Sequence, residues 1–229
     1  MKNYAFIFAR GGSKGLPGKN IKELAGKPLL QYSVDIAKAA PSIDEVFVST
    51  DDCKIAEVAR NSGAIVIDRP SELATDSSPE WDSWRHAIEW VQDHYGLFDG
   101  FVSLPATSPL RSVDDVENAI NKRDYTSADI CISVTPSSRS PYFNMVKDSQ
   151  DGFVELVIKP EIDVSRRQDV PEVFDITTVV YATTVNYVIN YYGLFSGKVT
   201  TVTVPKSRSV DIDDIYDFLL AESIIKSEQ

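Results

Sequence analysis

The sequence predicts a three-layer α/β fold, a mostly parallel sheet with helices on both faces. Two patterns carry this expectation. Short apolar runs of strand length alternate four or five times with longer stretches of helical periodicity, the rhythm of a parallel sheet covered by helices. The polar loops that open at Arg10, Asp51, Arg69 and Pro105 each follow such a run, and in these sheets ligands bind outside the carboxyl ends of the strands. The chain has 229 residues, 43% hydrophobic and 25% charged, which suits one compact domain with a sizeable core.

Taken in order, Tyr4 to Ala9 is short, apolar and aromatic-rich, and is expected to be a buried strand. Lys27 to Ala40 has helical spacing through Leu29, Leu30, Ser33, Ile36, Ala37 and Ala40, with Pro41 beyond it. Glu45 to Ser49 reads as a strand, Asp52 to Asn61 as a helix stopped by Gly63, and Ala64 to Ile67 as a third strand. Glu80 to Tyr95 carries one apolar stripe, Trp81, Trp84, Ile88, Val91 and Tyr95, expected to pack into the core. His86 and His94 lie off that stripe. Phe101 to Leu104 is a strand, Ser112 to Lys122 a helix opened by the capping-box-like Ser-Val-Asp-Asp, and Asp129 to Thr135 a strand.

From 136 to 171 the rhythm changes. Met145-Val146 and Gly152 to Ile158 suggest two short strands around a polar turn, Lys147 to Asp151, and Ser165 to Asp169 reads as a charged loop. This segment is expected to be a small lobe or dimer arm. The alternation then resumes, with strand at Thr178 to Ala182, helix at Thr184 to Tyr192, strand at Val199 to Val204 and helix at Asp213 to Lys226.

The net charge of -11 argues against a general nucleic-acid or anionic-membrane binder. No apolar run approaches a membrane span and no signal-peptide pattern is visible. Cys53 and Cys131 are expected to be free thiols in a cytoplasmic setting, and two histidines are too few for a histidine-rich metal site. In this acidic chain, Arg10, Lys14 and Lys19 stand in one loop with Gly11, Gly12, Gly15 and Gly18. Backbone N–H groups and cations in such a loop form a concave anion site, and the natural anion is a polyphosphate. It is not a Walker loop, because the Gly-Lys-Ser/Thr ending is absent. Near the other end, Asp211 and Asp213 flank Ile212. In an extended segment they face the same way, and two hard oxygen ligands beside a triphosphate suit Mg²⁺. The alternative is that these aspartates only start the last helix.

Ala9 to Asn20, Ala-Arg-Gly-Gly-Ser-Lys-Gly-Leu-Pro-Gly-Lys-Asn, resembles the nucleotide signature of the acylneuraminate cytidylyltransferases. Arg69-Pro70-Ser71-Glu72-Leu73-Ala74, Thr107-Ser108-Pro109-Leu110-Arg111, Arg167-Gln168 and Ser209-Val210-Asp211-Ile212-Asp213 are similar to further family segments, in the expected order. The resemblance implies a Rossmann-like nucleotide-diphospho-sugar transferase fold and transfer of a cytidylyl group from CTP to a 2-keto sugar acid, with Mg²⁺ as cofactor and a homodimeric state. It implies that Arg10, Lys19 and Asp211 serve catalysis. Ala9, Gly11, Gly12, Ser13, Lys14, Asn20 and Arg69 would bind nucleotide, Thr107, Arg167 and Gln168 would bind sugar, and Asp211 and Asp213 would hold the metal. Two segments depart from the sialic-acid-specific pattern. Pro105-Ala106 stands where those members carry Gln-Pro, and Thr177-Thr178-Val179 where they carry Asn-Gly-Ala. Both changes remove an amide side chain near the sugar and point to another nonulosonate. Open alternatives are a nucleotidyltransferase using another nucleotide and sugar phosphate, or a non-catalytic nucleotide-sugar-binding protein.

Overall fold

The computed structural model describes residues 1–149, 152–160 and 166–227. In chain order the first half comprises β1 (Asn3–Phe8), the short pair β2 (Glu23–Leu24) and β3 (Lys27–Pro28), α1 (Leu29–Ala39), β4 (Glu45–Thr50), α2 (Cys53–Asn61), β5 (Ile65–Asp68) and α3 (Glu80–Tyr95). It continues with β6 (Gly100–Ser103), α4 (Val113–Thr126), β7 (Ile130–Pro136), a hairpin of β8 (Val146–Asp148) and β9 (Val154–Leu156), β10 (Phe174–Thr184), α5 (Val185–Asn190), β11 (Val199–Thr203) and α6 (Ile215–Ser227).

Seven strands form the main sheet in the order β11-β7-β10-β6-β1-β4-β5. All run parallel except β10, which is antiparallel to both β6 and β7. The chain leaves β7 at its carboxyl end, makes the 137–173 excursion and returns at that same end, so β10 must run the other way. The sheet is mostly parallel, as expected, with its one reversed strand in the interior.

Side-chain alternation along β1 builds the layers. Ala5 and Ile7 face a cluster with Leu30 and Val34 of α1, Ile55 and Ala59 of α2, and Val116 and Ala119 of α4. Tyr4 and Phe6 face the opposite layer, with Trp84, Ile88 and Val91 of α3 and Val188 of α5. Phe6 stacks on Phe101 at 4.5 Å between centroids. The α3 stripe is therefore core, apart from Tyr95, which lies at its exposed end against Phe47. The caps follow the sequence. Asp52 accepts from Lys54 N and Ile55 N at the start of α2, and Ser112 and Asp115 form a reciprocal capping box on α4. Lys27-Pro28 is a strand of the small β2–β3 pair, so α1 begins two residues later than the periodicity suggests.

β10 is longer than expected. It carries a bulge between Ile176 and Tyr181, and the Ser133 hydroxyl satisfies the displaced backbone by accepting from Val180 N at 3.0 Å. The expected hairpin in the 136–171 segment is present as β8 and β9. Gln150 and Asp151 of its turn, and Ser165 of the charged loop, lie outside the described residues. Cys53 and Cys131 are free, and no helix among the described residues is long and apolar enough to cross a membrane.

Candidate active site

The two ends of the chain meet at the carboxyl edge of the sheet because each hides an apolar residue among charges. Leu16, inside the basic loop, and Ile212, between two aspartates, are buried in one cluster with Leu24, Leu29 and Phe218. Burying Leu16 and Ile212 draws their charged neighbours together. Lys19, only 9% exposed, donates its ammonium to the Ile212 carbonyl at 2.5 Å and stands 3.5 Å from Asp213 Oδ1. Ile212 N donates to the Thr107 carbonyl at 2.9 Å, which ties the β6–α4 loop to the same junction. Gly15 lies so close that a Cβ there would overlap the Asp213 carbonyl oxygen.

The acidic pair does more than start a helix. Asp214 caps α6, its Oδ1 accepting from Tyr216 N at 2.7 Å and Asp217 N at 3.2 Å, which leaves the Asp213 carboxylate to Lys19. Asp211 has a buried Oδ1 without a hydrogen-bond partner. Burial pushes its carboxyl above the ordinary aspartate value, reinforced by Asp213 and opposed by the Thr107 and Thr178 hydroxyls and by Lys19. An orphaned, desolvated carboxylate oxygen suits a cation, and Mg²⁺ takes one or two carboxylates with phosphate and water oxygens completing its shell. No group of three or more His, Cys, Asp and Glu gathers among the described residues, so this pair fits Mg²⁺ bound jointly with a phosphate ligand better than an all-protein cage.

The junction opens into a cavity of about 520 Å³ whose lining includes Arg10, Ser13, Lys14, Lys19, Asn20, Arg69, Thr107 and Asp213. Arg10 and Lys14 both pair with Asp76 of the β5–α3 loop. Arg69 is 9% exposed. Its guanidinium donates to the Ser49 hydroxyl and carbonyl at 3.1 and 2.6 Å, and lies 5.5 Å over the Phe8 ring. Burial lowers its pKa to about 10, which still leaves it a cation at neutral pH.

Three expected nucleotide ligands are not among the lining residues. Ala9 is buried with its N–H given to the Ser49 carbonyl, and Gly11 N donates to Asp51 Oδ1 at 3.0 Å while its Cα packs on Asp52. With Gly12 they shape the loop and do not line the cavity. Asn20 does both, lining the cavity while its amide holds the Arg10 carbonyl at 3.0 Å.

The expected sugar-binding residues are divided. Thr107 shares the cavity of Arg10, Lys14 and Lys19, whereas Arg167 and Gln168 line a second one of about 450 Å³, beside Pro136, Ser140 and Val173. The Arg167 guanidinium donates to the Ser137 carbonyl. This chain does not bring the three together in one cavity.

Two features escaped sequence reasoning. Asp76 is an ordinary carboxylate in a polar loop, and its only signal is that the loop follows a strand. Arg111 belongs to an expected segment but turns inward, 3% exposed, donating to the Pro105 and Val179 carbonyls and the Ser33 hydroxyl. It welds α1, the β6–α4 loop and the β10 bulge behind the site. Thr178, on that bulge, shares a 2.6 Å hydrogen bond with Ser108.

Known proteins resemble this chain in sequence and in fold. The family model described as "Cytidylyltransferase" matches residues 4–84, from β1 to the start of α3. CMP-N,N'-diacetyllegionaminic acid synthase of Legionella pneumophila is 30% identical over 231 residues, covering 100% of this chain and 98% of the relative. Pseudaminic acid cytidylyltransferase of Campylobacter jejuni is 30% identical over 231 residues, covering 99% and 97%. Among solved structures, a CMP:2-keto-3-deoxy-manno-octonic acid synthetase complexed with CTP superposes with a TM-score of 0.75 over 100% of both chains, at 19% identity, a likeness of fold. The chain belongs to the nonulosonate (acylneuraminate) cytidylyltransferase family.

Proposed function

We propose that this enzyme transfers a cytidylyl group from CTP to a nonulosonate, a nine-carbon 2-keto sugar acid, giving a CMP-sugar and pyrophosphate. The observation that carries the site assignment is the burial of Leu16 and Ile212 in one cluster, which sets a cationic loop and Asp213 around one cavity, while Asp211 borders another. Arg10, Lys14 and Arg69 supply positive charge for a triphosphate, and Lys19 holds the Ile212 carbonyl and Asp213 so that the acidic pair cannot swing away. Asp211 and Asp213 would hold Mg²⁺. When bound, that ion stabilises charge on the phosphates and lowers the pKa of a nearby hydroxyl. In the reaction the anomeric hydroxyl of the sugar acid forms a bond to the α-phosphorus and gives its proton to water, the bond to the bridging oxygen breaks, and pyrophosphate departs with the electron pair. The protein's part is positioning and charge complementarity, the usual means of catalysing phosphoryl-type transfer.

The sugar acid is expected between the phosphate cavity and the second one, where Arg167 offers a guanidinium that suits a carboxylate. We further propose a cytoplasmic homodimer formed through the 137–173 arm. Val146, Phe153 and Val154 expose apolar side chains there, as do Phe174 and Ile176 at the adjoining start of β10, more than an isolated hairpin gains by leaving in water.

Pyrophosphate release tests the reading, with CTP, UTP, ATP and GTP each offered with N-acetylneuraminic, legionaminic and pseudaminic acids, in Mg²⁺ or EDTA. The expected result is release with CTP and a nonulosonate, abolished by EDTA. Release only with GTP and a sugar phosphate would point to a different nucleotidyl transfer. Nucleotide binding without release under any combination would make the protein a sensor.

A further inference from the structure

The two cations best placed for the outer phosphates are already engaged. Arg10 Nη2 meets Asp76 Oδ1 at 2.7 Å, and the Lys14 ammonium meets Asp76 Oδ2. One carboxylate oxygen serves each cation, which is how a phosphoryl group would bridge the same pair. Asp76 is presented on a braced loop. Thr75 and Ser78 share a 2.6 Å hydrogen bond, the Ser78 hydroxyl donates to the Glu72 carbonyl at 2.5 Å, and the Ser83 hydroxyl donates to the Leu73 carbonyl at 3.2 Å. The cations pull Asp76 below the ordinary carboxylate range, through its hydrogen bonds to Lys14 and then Arg10.

The charge pattern of the cavity points the same way. Asp76, Glu80 and Asp213 stand among its four cations Arg10, Lys14, Lys19 and Arg69, so the free site is close to neutral. Side-chain exposures of 33% for Arg10, 77% for Lys14 and 48% for Asp76 leave these pairs open to water. Ion pairs so exposed are weak and easily exchanged for a polyanion.

We infer that Asp76 is a positioning residue that occupies the outer-phosphate subsite between Arg10 and Lys14 in the free protein and is displaced by the β- and γ-phosphates of the nucleotide. The inference rests on the reading of this cavity as the triphosphate site. It has two consequences. Arg10 and Lys14 are held apart and aimed before nucleotide arrives. The displaced carboxylate competes for the same cations when pyrophosphate is ready to leave, and so hastens its departure.

The test compares the full-length wild type with Asp76→Asn and Asp76→Glu by calorimetric titration of inorganic pyrophosphate, CTP and CMP. Asp76→Asn is expected to bind pyrophosphate and CTP about three- to tenfold more tightly, from the loss of a weak competing ion pair. CMP, which lacks the outer phosphates, should bind as before, and Asp76→Glu should behave as wild type. In turnover, Asp76→Asn should lower KM for CTP and kcat together and strengthen product inhibition by pyrophosphate. A buttress that only shapes the loop would instead weaken binding when lost. Pyrophosphate binding to Asp76→Asn that is unchanged or weaker overturns the inference, as does equal tightening of CMP. Arg10→Ala separates the two readings. CTP affinity indifferent to Arg10→Ala would end both, whereas a loss there without tightening in Asp76→Asn would end only the role of Asp76.

Discussion

The two cavities at the carboxyl edge of the sheet are built differently. The phosphate cavity is walled by segments locked into the core. Leu16 and Ile212 are buried together, Lys19 and Arg69 are each 9% exposed, and their donors engage backbone carbonyls. The second cavity is walled by the 137–173 excursion, where Arg167 contacts one carbonyl and the neighbouring apolar side chains face outward. The contrast teaches that one cavity is fixed by core packing while the other rests on a less anchored excursion. On the proposed assignment, the shared nucleotide chemistry would be held rigidly and the part that varies among sugar acids would sit on the excursion.

Four experiments would break or sharpen this contrast. The largest effect is expected from Asp211→Asn, which keeps the shape but removes the charge. Mg²⁺-dependent pyrophosphate release should fall at least about a hundredfold, with circular dichroism unchanged. Full activity would remove Asp211 from the metal site. Next, Arg167→Ala should raise KM for the sugar acid about tenfold, from loss of a charge-assisted contact, and leave KM for CTP unchanged. A parallel rise for CTP would mean that the two cavities act as one.

A pair of glycine variants probes how tightly the first cavity is locked. Gly15→Ala places a methyl against the Asp213 carbonyl, whereas a Cβ at Gly12 meets nothing within 4 Å. Gly15→Ala should lower the melting temperature by roughly 3–10 °C and weaken CTP binding a few-fold, while Gly12→Ala leaves the melting temperature within about a degree. Equal melting temperatures would show that the junction is loose.

The smallest effect is in the pH dependence. Asp211 is raised above the ordinary aspartate value of 3.8. The stability it adds is therefore present while it is protonated, below 3.8, and is lost as pH rises through its higher folded value. Asp115 is held below 3.8. Burial alone would raise it, but the 2.9 and 2.8 Å bonds from Arg208 and the Ser112 cap outweigh that. Its contribution is present above 3.8 and lost as pH falls through the depressed value. Asp115→Asn should thus flatten the acid decline of the melting temperature. Asp211→Asn should remove the loss at Asp211, so that stability without Mg²⁺ declines less as pH rises through the raised folded value. The acid limb of kcat/KM, which reports the free enzyme, should lie above that of an ordinary carboxylate, because protonated Asp211 cannot ligate a cation.

The sequence was informative where physics acts locally. Strand and helix periods, the Ser112 and Asp52 caps and the cationic loop were legible because each depends on neighbours a few residues away. So were Lys19 and Asp213 as chemical types. Tertiary structure alone decided the rest. It buried Leu16 and Ile212 in one cluster, made Asp214 the helix cap so that Asp213 could face Lys19, turned Arg111 inward, sent Arg167 to a separate cavity and paired Asp76 with Arg10 and Lys14. The reason is that a side chain's type fixes what it can bind, while its partner depends on which distant segment the core brings within a few ångströms.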